Sequence, residues 1–483
     1  MIGISSPNIL DYLDEDGEDI DLLAYDDAEK EFLVKKRQLK KPEMSSKKPY
    51  LQRKRYFRRN PRDSIWYIDY VIDVHRTWRD PLHRDGKTFS NRFSHSFDSV
   101  CEIVEKIQEP EHNFWKASRD ATGRESSPIH LLVLGSLRML TRNVTLDDLS
   151  EDTFISTTVH SAFFKKFMRW YAETVFPEVV RMPTLAELKE NGQEYDLAGF
   201  PGSGFSVDCV HVRVWGVSAN LKQISTGKEK FPSRVFEAVV NHRGTILAAT
   251  RGFYGSVNDK SIVKFDGAMV ALRNGCYAEN TYDIYDADGN VLTVAGCYAI
   301  CDNGYHKWPT MMEPTKRPRD DDDYNWSEMN ESLRKDVECL FGILKQEFAI
   351  LKYGCRFSSL SLVDDIFQTC CAMHNQRKVI SGSDQPWDTF ILPPDIDGDM
   401  TRSRPDVFRR MEENERFEEE GGGIGSGEHE IIHDDFVLPH LSDSHATVKN
   451  RLITHFKVAS SKNEVFWPRR NGVTRMYTLA SSR

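Results

Sequence analysis

Residues 205–214 of the chain read FSVDCVHVRV, and this stretch decides the fold class. Apolar and polar side chains alternate along it, which predicts a β-strand with one buried face. Two more alternating stretches follow at 234–241 and 245–251. Between them, NHRG at 241–244 predicts a hairpin turn, because glycine tolerates a positive φ. We therefore expect three consecutive strands.

Helix and strand patterns alternate beyond these strands. SVND at 256–259 predicts the start of a helix that continues to about residue 273. A short apolar strand is expected at 296–301, and a polar loop containing Asp320–Asp323 follows it. An apolar stripe then predicts a long helix over 327–348. This order predicts an α/β protein whose mixed sheet is flanked by helices.

The segment before the strands is expected to be helical. Thr145 and Asp148 have the spacing of a helix cap, and residues 156–170 repeat apolar side chains at helical intervals. Short helices joined by short turns are typical of a helix-turn-helix. Lys165, Lys166 and Arg169 would then lie on its outward face as candidate DNA contacts. A plain helical subdomain with solvated bases fits the same pattern.

Charge is strongly segregated along the 483 residues, although the net charge is only −10. Residues 1–31 hold eleven acids and one base, whereas residues 35–62 hold thirteen bases and one acid. The basic block predicts a nuclear import signal or a phosphate-binding arm, and a solvated arm neutralised by the acidic block is the alternative.

Nine scattered cysteines favour a reducing compartment. No secretory signal or apolar stretch of about 20 residues is present, so we expect no membrane association.

Composition and pattern together predict five segments. They are a disordered acidic then basic arm (1–63), a helical, helix-turn-helix-like domain (64–200), an α/β domain (201–385), an acidic Gly-rich linker (386–436) and a C-terminal segment (437–483). Whether the last segment packs on the core is left open by the sequence.

Three acids stand where this architecture can bring them together. Asp208 lies on the first strand, Asp302 follows a later strand, and Glu338 lies on the long helix. Three carboxylates suit phosphoryl transfer, because two divalent cations about 3.5–4 Å apart neutralise the attacking and leaving oxygens. Each acid also has a simpler interpretation: an ordinary strand residue, a turn former in Asp-Asn-Gly, and a solvated helix acid paired with Arg334 one turn earlier.

Several ordered motifs surround these acids. They are DCVH at 208–211, GKEKFP at 227–232, GSVND at 255–259, CDNGYHKWP at 301–309, RKDVECLFGILK at 334–345 and MHN at 373–375. In their order and spacing they resemble the DDE nuclease domain of PIF/Harbinger-type transposases and their domesticated relatives. Residues 128–170 also resemble the helical segment that precedes the nuclease in this family. The resemblance covers roughly residues 128–380.

The resemblance implies an RNase H-like fold in which Asp208, Asp302 and Glu338 are catalytic metal ligands. The implied cofactor is Mg²⁺ or Mn²⁺, with two ions bound. It further implies that the metal site cuts transposon ends and joins the freed 3′-hydroxyl to target DNA. Candidate phosphate contacts of this domain are Lys228, Lys230, Arg334 and Lys345. The implied partners are DNA, a Myb-like helper protein and a second copy of the chain, and the implied location is the nucleus. The alternative is a domesticated, non-catalytic DNA-binding or scaffold protein.

Some residues stand outside this scheme. Asp259 is either a fourth acid of the cleft or, as we favour, a helix cap. Cys339 follows Glu338 where the family usually has arginine. Cys297, Cys301 and His306 have irregular spacing for zinc, so no zinc site is predicted. His211 either bonds near Asp208 or packs, and the acids of 282–290 favour a solvated hairpin.

Overall fold

The computed structural model describes residues 59–72, 76–116, 119, 125–385, 438–439, 442–469 and 472–475. The predicted acidic arm, most of the basic block and the acidic Gly-rich linker lie outside these residues. The α-helices, in chain order, are α1 (Ile65–Tyr67), α2 (Arg76–Arg79), α3 (Arg84–Phe93), α4 (Phe97–Gln108), α5 (Ile129–Arg142), α6 (Leu146–Thr153), α7 (Thr157–Trp170), α8 (Phe176–Val179), α9 (Leu185–Leu197), α10 (Asp259–Val263), α11 (Gly267–Arg273), α12 (Asp321–Glu347), α13 (Ala349–Tyr353), α14 (Leu360–Ser381) and α15 (His445–Ser461).

The strands are β1 (Ser203–Arg213), β2 (Ser233–Val240), β3 (Ile246–Ala249), β4 (Phe253–Tyr254), β5 (Thr281–Tyr285), β6 (Val291–Ala295), β7 (Tyr298–Ile300), β8 (Met311–Met312), β9 (Leu438–Pro439), β10 (Phe466–Arg469) and β11 (Gly472–Arg475). The central sheet has the order β3-β2-β1-β7-β8, and β4 also pairs with β2. β1, β2 and β3 are antiparallel, whereas β7 and β8 run parallel to β1. The predicted fold class is confirmed: a mixed α/β protein with a mixed sheet flanked by helices, consistent with an RNase H-like fold.

The two faces of the sheet bury different partners, because side chains alternate along each strand. On one face, Val210 and Phe236 join a core that contains α12, α14 and the helices of the first 200 residues. The rings of Phe236 and Phe367 stack there with centroids 4.0 Å apart. On the other face, Phe205 and Val239 pack with apolar residues of α9, α10 and α11. One continuous core thus joins the helical segment to the sheet, and the domain boundary near residue 200 stays a prediction.

The capping box at Thr145 is present. Its hydroxyl accepts a bond from the Asp148 backbone N–H at 3.2 Å, and the Thr145 backbone N–H donates to the Asp148 carboxylate at 2.9 Å. Residues 282–290 form the predicted hairpin between β5 and β6. The predicted helix 156–170 is α7.

Two helix predictions were wrong, one in the middle of the helix and one at its start. The helix expected over 256–273 is two helices, α10 and α11, since Asp266 interrupts it and accepts bonds from the N–H groups of Ala268 and Met269. The acidic run placed in a loop begins α12, whose N-cap is Asp320. Acids in the first turn are favoured by the helix dipole, so the run extends the helix instead of breaking it.

The C-terminal segment packs on the core through α15. Leu452 and Phe456 join a cluster with Phe200 and Trp326, and Lys457 bonds Asp322 of α12 at 2.8 Å. Among the helices that the structure describes, none is long and apolar enough to cross a membrane.

Candidate active site

Asp208 and Asp302 are brought side by side by the sheet. β1 and β7 are parallel, and Ser206 of β1 pairs with Ile300 of β7. Each aspartate comes two residues after that pair, so both side chains belong to the same point along neighbouring strands. The Cys209 N–H donates to Asp208 Oδ1 at 2.7 Å, and the Gly304 N–H donates to Asp302 Oδ1 at 2.7 Å.

Glu338 is linked to Asp208 through an arginine. α12 lies across β1, and Arg334 Nη1 donates to Asp208 Oδ2 at 3.3 Å and to Glu338 Oε1 at 2.7 Å. Arg334 Nε also donates to Glu331 at 2.8 Å. The simple interpretation of Glu338 as the partner of Arg334 is therefore correct, and the same pair lies against Asp208. Burial alone lowers the pKa of Arg334, but its bonds to Glu331 and Glu338 outweigh this and raise it.

Both aspartates resist ionisation. Burial raises the pKa of Asp208 to about 6, and the nearby charge of Asp302 adds to the increase. Burial also raises the pKa of Asp302, with a further contribution from Asp259. A raised carboxyl pKa next to other carboxylates indicates a site that lacks positive charge.

Asp259 is a fourth acid at this site. Our preferred interpretation of it as a cap was wrong: the N-cap of α10 is Asn258, whose Oδ1 accepts a bond from the Ser261 N–H at 2.9 Å. Gly304 lies between the acids, since a Cβ added to it would come within 2.8 Å of Asp302 Oδ1 and 3.2 Å of Asp259 Oδ2. The glycine of the Asp-Asn-Gly turn thus keeps the space between these carboxylates open.

The donor chemistry of this acid cluster, defined here as Asp208, Asp259, Asp302 and Glu338, suits Mg²⁺ or Mn²⁺. All four donors are hard carboxylate oxygens, and the site retains an open cradle at Gly304. Within the described residues, no three His, Cys, Asp or Glu side chains are already arranged around a single ion position. The Arg334 guanidinium lies between Asp208 and Glu338 and neutralises part of their negative charge in this arrangement.

The predicted phosphate contacts of the α/β domain differ in their surroundings. Lys228 and Lys230 are exposed, and the charge of Lys228 lowers the pKa of Asp302. Lys345 is half-buried, and burial lowers its pKa. Arg334 is held by three carboxylates, so its guanidinium faces the acid cluster.

The three predicted contacts of the helical segment lie on the exposed face of α7, away from its buried aromatic side. Lys166 Nζ lies 5.4 Å from the centre of the Trp115 ring, and Arg169 pairs with Glu173 at 2.8 Å. Lys165 is exposed beside them.

The remaining candidates belong to structural contacts. His211 bonds Ser233 Oγ at 3.0 Å instead of Asp208. Cys297 and Cys301 are buried in the sheet core, and the His306 ring stacks on Trp308. Cys339 is exposed on α12 next to Glu338.

A cavity of about 600 Å³ opens elsewhere, between the helical segment and β3. Its lining includes His95, Tyr171, Arg243 and Asn375 and contains none of the four residues of the acid cluster. The signals for the acid cluster are the parallel strand pair and the shifted pKa values.

Comparison with known proteins finds a family model that matches part of the chain. Residues 177–381, a little under half of the chain, match the family model described as plant transposon protein. The matched range contains β1, β7 and α12 and with them all four acids of the cluster. Neither a curated protein nor a solved structure matches the chain.

Proposed function

We propose that the chain, whose residues 177–381 match the plant transposon protein family model, is a metal-dependent DNA endonuclease and strand transferase of a Harbinger-type transposon. The observation that carries this proposal is the acid cluster. Asp208 and Asp302 lie side by side on neighbouring strands, with raised pKa values, and Arg334 links Glu338 to Asp208. The family indicates a transposase-related function, and the reaction and the subfamily are our inference.

In this proposal Asp208, Asp302 and Glu338 would hold divalent metal ions, and these would supply positive charge to the phosphate oxygens during phosphoryl transfer. Asp259 adds a fourth negative group at the same place. A water oxygen attacks the phosphodiester at the transposon end and releases a 3′-hydroxyl. That hydroxyl then attacks a target phosphodiester and displaces its 3′-oxygen.

Basic side chains of the protein would bind the DNA around these acids. Lys228 and Lys230 are exposed on the loop before β2, and Lys165, Lys166 and Arg169 are exposed on α7. Contacts of this kind position the phosphate backbone and weaken with salt. DNA, a Myb-like helper, a second copy of the chain and a nuclear location are parts of the same proposal.

The test is cleavage of DNA that carries the element's ends, with Mg²⁺ or Mn²⁺ and the helper present. We expect Asp302→Asn to lower the cleavage rate by at least about 10²–10³-fold, since it removes one charge from the reacting centre. Asp288→Asn, an exposed acid of the β5–β6 turn, is the matched control and should cleave like the wild type. Equal rates for the wild type and Asp302→Asn would refute the assignment.

One observation favours a second candidate, a non-catalytic DNA-binding or scaffold protein. Arg334 already bridges Asp208 and Glu338, so part of the negative charge is neutralised without metal. DNA binding without cleavage by the wild type, under conditions in which the helper engages the same DNA, would support this candidate.

A further inference from the structure

A fixed aromatic side chain stands in solvent just after β1. Trp215 is 61% exposed, and its neighbour in space, Tyr353, is 59% exposed. The indole Nε1 donates to the Tyr353 carbonyl at 2.8 Å, and the Trp215 backbone N–H donates to the Cys355 carbonyl at 2.9 Å. Both the backbone and the ring are therefore held in place, although the ring has little apolar cover.

The loop that holds this ring is built for close approach. Gly354 has φ of +92°, and a Cβ there would lie 2.9 Å from Trp215 Nε1 and 2.9 Å from the Arg213 side chain. Gly216 likewise packs against the backbone of Phe357, where a Cβ would come within 2.7 Å of the carbonyl oxygen. Any other residue at these positions would displace the indole or its supporting loop.

An arginine stacks against the indole. The Arg213 guanidinium carbon lies 4.6 Å from the centre of the Trp215 ring and 4.0 Å from the centre of the Phe231 ring. The guanidinium thus contacts two rings, and the exposed part of the indole remains available. Cation–π contacts of this kind fix ring orientation and leave the positive charge near the surface.

Lysine side chains lie near this aromatic site and on the loop before β2. Lys230 immediately precedes Phe231, and Lys352 Nζ lies 5.6 Å from the centre of the Tyr353 ring. Lys228, on the same loop as Lys230, is close enough to the acids to lower the pKa of Asp302. Lysines of one loop therefore occur next to Phe231 and near the candidate active site, with Glu229 between them in the sequence.

We propose that Trp215 is a stacking site for an unpaired DNA base, with Arg213 and the nearby lysines binding the adjoining phosphates. This inference rests on the proposed function and specifies the form of its substrate. Exposed aromatic side chains interleaved with basic side chains bind single-stranded nucleic acid, because every nucleobase has a face that can stack. A paired base is sheltered within its duplex and must first be unstacked.

The position of the unpaired base follows from the strand. Trp215 comes seven residues after Asp208, which corresponds to roughly 24 Å along an extended chain. Because duplex DNA advances about 3.4 Å per nucleotide of one strand, this upper limit places the stacked base within about seven nucleotides of the phosphate at the acids. DNA opened within that distance is the substrate that we infer.

The test uses the full chain in chelator, so that DNA is bound and not cut. The probes are a fluorescent single-stranded 30-nucleotide DNA and the same sequence as a duplex. Trp215→Leu keeps apolar bulk without a stacking face, and Trp215→Phe keeps the stacking face. We expect Trp215→Leu to bind the single strand about 10–100-fold more weakly and Trp215→Phe to retain most of the affinity.

Controls separate stacking from unfolding and from general charge. Tyr324→Leu alters an aromatic on α12 that is 46% exposed, and it should leave single-strand affinity unchanged. 2-Aminopurine placed in the single strand should be quenched by the wild type and by Trp215→Phe, but not by Trp215→Leu. Circular dichroism confirms that each variant is folded.

Two outcomes would overturn the inference: equal single-strand affinity of Trp215→Leu and Trp215→Phe, or an equal loss of affinity for duplex and single strand. The second would indicate a general contact or a protein-binding surface. Failure of the proposed function is recognised separately by the Asp302→Asn cleavage assay. Loss of stacking in Trp215→Leu, with no cleavage by the wild type, would leave the DNA site intact in a non-catalytic protein.

Discussion

Carboxylates occur in two contrasting settings in this protein, and the first is the buried ion pair. Asp364 of α14 accepts two bonds from Arg234 of β2, at 2.9 and 3.0 Å. Glu194 of α9 accepts two bonds from Arg243, at 2.7 and 3.3 Å. Each of these carboxylates is almost fully buried and is met by a guanidinium in a bidentate arrangement.

The acid cluster is the second setting, and it is supplied with much less positive charge. Asp208 and Glu338 bond the same Arg334 Nη1 atom, at 3.3 and 2.7 Å. Asp302 and Asp259 lie beside them; burial raises the pKa of Asp208 and of Asp302, and the charge of Asp302 adds to the first shift while that of Asp259 adds to the second. An excess of carboxylates over cations weakens the folded state and leaves a place for an added cation.

The difference separates acids that hold the fold from acids that are available for chemistry. Paired carboxylates lose stability when a partner is removed, because an uncompensated charge stays buried. Crowded carboxylates lose little or gain when one charge is removed. The predictions below test this contrast, beginning with the largest expected effect.

Breaking a buried pair should have the largest effect on stability. Asp364 is 4% exposed, so Asp364→Asn leaves Arg234 buried without its counter-charge. We expect a loss of about 3–5 kcal/mol in the free energy of unfolding, measured with urea in chelator. Glu173→Gln breaks the exposed pair with Arg169 and should cost at most about 1 kcal/mol. Equal losses for the two variants would contradict the contrast.

The pH dependence of the metal-free protein should report Asp208. Its pKa is about 6 in the folded state, above its ordinary value of 3.8. Between pH 4 and 6 the folded state keeps a proton on Asp208 that the unfolded chain has released. The contribution of this proton to the free energy of unfolding is therefore complete below pH 4 and is lost as the pH rises through 6. We expect the wild type to lose on the order of 2 kcal/mol relative to Asp208→Asn across this window. Parallel urea-unfolding curves for the two proteins at every pH would argue against the raised pKa.

Replacing the shared arginine should expose the competition between guanidinium and metal. Arg334→Gln removes the positive charge from Asp208 and Glu338, so Mn²⁺ should bind several-fold more tightly, as measured by titration calorimetry. Lys335→Gln removes an exposed charge from the neighbouring position of α12 and serves as the control. Unchanged Mn²⁺ affinity in Arg334→Gln would show that the arginine and the metal do not share these oxygens.

Only part of the fold is predictable from the sequence. Alternation over 205–214 fixes β1, because one of its faces is buried by helices and the other by a second apolar layer. The start of α12 was missed because a run of four acids is typical of a polar loop, whereas Asp320 caps the helix and the other three interact favourably with its dipole. The break at Asp266 depends on local hydrogen bonds that compete with a continuous helix.

The acid cluster was predictable only in part. Parallel pairing of β1 with β7 follows from the strand order and places Asp208 beside Asp302. The rotation of α12 about its axis depends on its apolar contacts, and it determines that Arg334 lies between Asp208 and Glu338. The cap at Asn258 frees Asp259 to face the other acids, and a single aspartate at a helix start gives no sign of this.

The smallest expected effect has the opposite sign to the first. Asp302→Asn removes one charge from the crowded cluster and keeps an oxygen for the Gly304 N–H bond. We expect the free energy of unfolding in chelator to rise by about 1 kcal/mol at neutral pH, since burial and Asp259 disfavour the charged form. Urea unfolding measures this, and Asp288→Asn, on an exposed turn, should show no change. A loss comparable to that of Asp364→Asn would place Asp302 among the acids that hold the fold. A gain, in the same variant that abolishes cleavage, would mean that this carboxylate is kept at a cost to stability because the reaction needs its charge.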